Sequence, residues 1–188
     1  MKKLILLLAL IFGSVLSFAQ DIQMVQMVPP AQWQPYANAK YQIKLPSPPM
    51  VVDSLGLSYV GSTTSDELIA LSAYTFDNAD FQFQPEFTEV LGAIGDESLT
   101  EMIEMSLIGL FEDNTIISVT NVVNSGISGK EYAVRSYNPE VDKYELHFIQ
   151  SFSGNNALKF FSVHGFEENV YLIEGYKTEF FNTLQLTQ

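Results

Sequence analysis

Glu145, His147 and His164 are the residues of this chain whose types and spacing could support metal or acid–base chemistry. Glu145 and His147 are two apart in one extended run and His164 lies in the next, so a hairpin would project all three from one side of a sheet. If Gly154-Asn155 forms the turn, Glu145 lies opposite His164 with His147 diagonal to it. If Asn155-Asn156 forms it, the two imidazoles face each other directly. Either register brings two imidazoles and a carboxylate within about 5 to 8 Å. That set has the donors to hold Zn²⁺ with a position left for water, the minimum for metal-assisted hydrolysis. The plainer reading is three polar cross-strand neighbours on an incompletely covered part of the sheet.

Other candidates are looser. Asp77-Asn78-Ala79-Asp80, with Glu86 and Glu89 nearby, is rich in oxygen ligands for Ca²⁺, but lacks the alternating carboxylates and the glycine of a dedicated calcium loop. Phe81, Phe83 and Phe87 in the same stretch offer either an apolar surface for a ligand or partner, or a lid folded onto the core. Burying each ring gains about 1.5 to 3 kcal/mol. There is no Gly-x-Ser-x-Gly elbow, phosphate loop, dinucleotide fingerprint or His-Glu-x-x-His pair. Gly126-Ile127-Ser128-Gly129 has the spacing of a turn rather than of a nucleophile. No motif calls for a cofactor.

The elements that must position these residues follow from periodicity. Residues 1–19 read as a cleavable export signal: Lys2 and Lys3, an apolar run from Leu4 to Phe12, and Ser17-Phe18-Ala19 before Gln20. Residues 20–39 read as an extended segment limited by Pro29, Pro30 and Pro35, docked by Trp33 and Tyr36. Residues 40–188 read as one domain. Its first strand alternates over Lys40 to Leu45 and is stopped by Pro46, Pro48 and Pro49. A hairpin of Leu57–Thr63 and Glu67–Phe76 follows, then an irregular stretch from Asp77 to Gly95. Leu99, Met102, Ile103, Leu107 and Leu110 then recur at helical spacing over Glu97–Phe111. Four extended runs, Thr115–Val123, Lys130–Tyr137, Lys143–Phe152 and Ala157–His164, make an antiparallel meander. A helix from about Glu167 to Leu184 closes the chain. Strands apolar on both sides, with two apolar helices, imply an α+β fold: a three-layer α/β/α sandwich on an antiparallel sheet.

Composition narrows the functional classes. The 188 residues include no cysteine, which removes disulfides, thiolate metal sites and a lipidated N-terminal cysteine. The whole chain carries a formal charge of −13, and loss of Lys2 and Lys3 with the signal leaves 7 basic against 22 acidic residues, or −15. Such a surface repels phosphate backbones and anionic headgroups, so nucleic-acid and membrane-surface partners are not expected. Membrane insertion of the mature chain is not expected because no segment after the signal has the length and unbroken apolarity of a spanning helix.

The strand-plus-proline opening Tyr41-Gln42-Ile43-Lys44-Leu45-Pro46, the central helix, the meander with Gly129 and the closing Phe180-Phe181-Asn182-Thr183-Leu184 resemble the PsbP-like α/β/α sandwich. That is the fold of the photosystem II extrinsic protein and of a small nuclear-import factor. The resemblance implies a binding or assembly role and carries no functional residue across. The signal ending Ser17-Phe18-Ala19-Gln20 is similar to those of exported Bacteroidetes proteins, which implies a periplasmic or extracellular location. The sequence thus reads as a non-catalytic exported protein of the cell envelope that meets a partner protein or small ligand. The alternatives are a metal-dependent hydrolase built on Glu145, His147 and His164, and a structural accessory domain.

Overall fold

A computed structural model describes residues 27–54, 57–64, 68–77, 115–154 and 157–187. The expected helix over 97–111, the candidate calcium loop beyond Asp77, and Phe81, Phe83 and Phe87 lie outside the described residues. Those described form two antiparallel sheets and one C-terminal helix. The strands are β1 (Gln34–Ala37), β2 (Tyr41–Leu45), β3 (Met50–Ser54), β4 (Leu57–Thr63), β5 (Ile69–Asp77), β6 (Thr115–Asn124), β7 (Ile127–Asn138), β8 (Lys143–Gly154), β9 (Ala157–Phe166) and β10 (Gln185–Leu186). The helix is α1 (Val170–Thr183).

The larger sheet has the order β3-β4-β5-β9-β8-β7-β6, with every neighbouring pair antiparallel. Its last four strands are the meander expected from the alternating runs. One of its turns is tighter than the composition implied. Ser125 and Gly126, at φ 51° and 81°, close β6 onto β7 as a two-residue turn with Asn124 paired to Ile127. Ser128 and Gly129 therefore lie in β7 rather than in the turn. A Cβ on Gly129 would collide with the Ser151 carbonyl and the Phe152 ring, so the neighbouring strand and not the turn requires glycine there.

The smaller sheet, β1-β2-β10, takes part of the extended N-terminal segment into a paired strand. Pro35 does not prevent β1 from pairing with β2, because β1 is an edge strand and needs to donate on one side only. Likewise the chain resumes as β3 directly after Pro48 and Pro49. The closing helix ends at Thr183, one residue early, and β10 then pairs Leu186 with Tyr41.

α1 packs on one face of the large sheet. Ile173, Tyr176 and Phe180 are buried against Leu71, Phe152, Phe161 and Val163, with Trp33, Tyr41, Ile43 and Leu45 closing the side of this core. Gly165 permits the close approach: a Cβ there would lie 2.6 Å from the Leu68 carbonyl oxygen and 3.3 Å from Ile173. Trp33 stacks on Tyr176 at 5.7 Å and donates from Nε1 to the Val28 carbonyl, which ties the N-terminal segment to α1. The opposite face carries a second buried cluster, Tyr132, Val134, Ile149, Leu158 and Phe160. Both faces of the sheet thus bury apolar side chains, as the near-continuous apolar runs of β8 and β9 require.

Candidate functional site

The pairing of Gly154 with Ala157 selects the second of the two possible registers, so His147 lies directly opposite His164. Glu145 is opposite Ser136 on β7, and all four side chains share the face away from α1. The imidazoles stack at 5.1 Å with their planes 25° apart. His147 is buried, and its Nε2 shares a 2.8 Å hydrogen bond with Ser136 Oγ and lies 3.4 Å from Glu145 Oε2. Asn138 Nδ2 donates to Glu145 Oε1 at 2.7 Å.

This geometry brings the expected residues together on one face of the sheet. A metal ion sits in the plane of each imidazole that binds it, at about 2.0 to 2.1 Å from nitrogen. Nearly parallel rings aim their lone pairs side by side rather than at a common point. Among the described residues, no group of three or more His, Asp or Glu side chains is placed to hold a metal ion. The Ser136–His147 contact has the spacing of a nucleophile and its base. Burial, and then the charge of His164, push His147 down to about 3, and burial also lowers His164. Lowered basicity works against His147 taking a proton from the Ser136 hydroxyl at neutral pH.

On the opposite face, a cleft of about 380 Å³ is lined by Thr115, Arg135, Tyr137 and Tyr144. Its cation is already engaged. Arg135 donates from Nε and Nη2 to Glu167 at 2.8 to 3.1 Å and lies 3.4 Å above the Tyr144 ring. The hydrogen bonds to Glu167 hold its pKa above the usual value. Tyr137 donates to Asp142 at 2.6 Å. Together with Lys143–Glu168 at 2.7 Å, these contacts fix the turn that leads into α1.

The two outer strands of the large sheet differ. β3 is short and carries Asp53, whereas β6 has ten residues, no charge and no proline. Seven of those ten are β-branched, and Ile117, Val119 and Val123 are 56, 51 and 71% exposed. Among the described residues nothing pairs with the outer edge of β6. The signal was present in Thr115–Asn124 as an uncharged run in a strongly acidic chain, but the sequence does not say which strand lies outermost.

No protein-family model and no curated protein matches the chain. Among solved structures, the cyanobacterial PsbP (CyanoP) from Synechocystis sp. PCC 6803 is similar with a TM-score of 0.55 at 11% identity, covering 89% of this chain and 98% of that one. LpqN, involved in cell envelope biogenesis of Mycobacterium tuberculosis, aligns with a TM-score of 0.43 at 7% identity, covering 83% of each chain. PA94 from Pseudomonas aeruginosa, of unknown function, aligns with a TM-score of 0.43 at 7% identity, covering 78% and 91%. With an antiparallel sheet packed by a C-terminal helix, and a match along nearly all of CyanoP, the chain has a PsbP-like fold.

Proposed function

We propose that this chain is a non-catalytic binding or assembly protein, exported to the cell envelope, that engages an extended segment of protein along β6. One observation carries the reading. β6 is a long, uncharged, β-branched outer strand with exposed apolar side chains and none of the lysines, prolines or inward charges that usually block strand addition. A segment laid along it gains main-chain hydrogen bonds for affinity and side-chain contacts on alternate positions for selectivity. The acidic surface disfavours nucleic acid as the partner, and among the described residues no helix is long and apolar enough to cross a membrane.

A third layer of the sandwich is proposed on the face of the sheet that α1 leaves uncovered. β5 and β6 run in the same direction at separate places in one sheet. The buried cluster of Tyr132, Val134, Leu158 and Phe160 lies on the face that α1 does not cover. A helix over 97–111 crossing that face would serve as its cover and form the third layer.

The test is capture from the native envelope with the tagged exported chain, beside a Val119→Lys variant of matched stability. A protein held at fixed stoichiometry by the wild type and lost from the variant is expected, with slowed amide exchange along β6 in the captured complex. Equal capture by both chains, or by neither, overturns the reading.

A further inference from the structure

Resting on the strand-addition reading above, we infer that the segment β6 accepts is β6 of a second copy, paired antiparallel about a two-fold axis through Asn121. The positive φ angles of Ser125 and Gly126 make the β6–β7 connection a two-residue hairpin turn, in which the flanking Asn124 and Ile127 exchange both hydrogen bonds. Counting back by twos, Val122, Thr120 and Ser118 direct their backbone groups at β7. Val123, Asn121 and Val119 direct theirs outward. The irregularity between Ile116 and Ser118 lies beyond this stretch and leaves it regular.

About Asn121 the strand is self-complementary. Val119 falls opposite Val123, both more than half exposed. Thr120 falls opposite Val122, which has the same branched shape, and Ser118 falls opposite Asn124. Asn121 meets its own copy, with an amide that is both donor and acceptor. Each outward backbone pair thus coincides with a matched side-chain pair, the arrangement an isologous contact needs. Charge selects the same occupant. A partner chosen by charge complementarity finds no charged residue on β6 to read. Two copies of a chain with a formal charge of −13 avoid opposed carboxylates by meeting along an uncharged strand. β3, by contrast, is half the length and carries the charge of Asp53.

Sedimentation velocity of the exported chain, from micromolar to sub-millimolar concentration, is the test. A wild-type dimer is expected, with slow amide exchange at Val119, Asn121 and Val123. Val119→Lys should be monomeric with fast exchange there. Asn121→Asp, a change of one exposed atom that leaves the fold intact, should weaken the dimer several-fold by opposing two carboxylates at the axis. Val51→Lys on β3 should leave it unchanged. A monomeric wild type, or a dimer indifferent to both β6 variants, overturns the inference. A monomer that still captures a different protein through β6 removes self-pairing alone, whereas a monomer with no β6-dependent capture removes the strand-addition reading too.

Discussion

His147 is buried on a sheet face with a serine, a glutamate and a second imidazole around it, and its protonation is suppressed to about pH 3 by burial and by His164. In the unfolded chain it titrates near 6.5, so between about 3 and 6.5 the unfolded state binds the extra proton. Stability therefore falls as pH drops through that window. His147→Gln should flatten the decline of the urea midpoint between pH 6.5 and 4 relative to wild type; an unchanged slope would show that the imidazole is not held neutral. The period-two spacing of Glu145, His147 and His164 was enough to place them on one side of a hairpin. Ser136 was not legible as their neighbour, because its position depends on the β7–β8 register across the four-residue turn at 139–142.

The four long strands of the meander and the closing helix were legible from alternation, turn residues and helical spacing. β1, β3 and β10 were not. Each is short, and prolines within or beside β1 and β3 count against a strand by local propensity, whereas an edge position tolerates them. The contact between α1 and the sheet gives two checks. Phe180 is fully buried in the α1 core, so Phe180→Ala should cost about 3 to 5 kcal/mol in urea unfolding. Gly165→Ala places a methyl group against the Leu68 carbonyl and should cost about 1 to 3 kcal/mol. By contrast, Val119→Ala on the exposed strand should stay within about 0.5 kcal/mol for the monomer. If all three moved the midpoint alike, the division between core and interaction surface drawn here would be wrong.

At the scale of the molecule, net charge and edge chemistry act in opposite directions. The acidic copies repel at long range, and the uncharged β6 strands are where they can meet. Added salt screens that repulsion, with the Debye length falling from about 30 Å at 0.01 M to about 8 Å at 0.15 M. Dimerisation should therefore tighten as sodium chloride rises over this range in sedimentation measurements; a contact held by complementary charges would loosen. The acidity was plain from composition, and the β6 surface emerged only once the strand order placed that run outermost. Trp33, the chain's single tryptophan, has a further use. It is enclosed by the N-terminal segment and the Tyr176 ring, so its fluorescence reports on that junction alone. A red shift in emission that precedes the loss of far-ultraviolet circular dichroism would mean that the leading segment peels away before the sheet melts. Coincident transitions would mean that the two unfold as one cooperative unit.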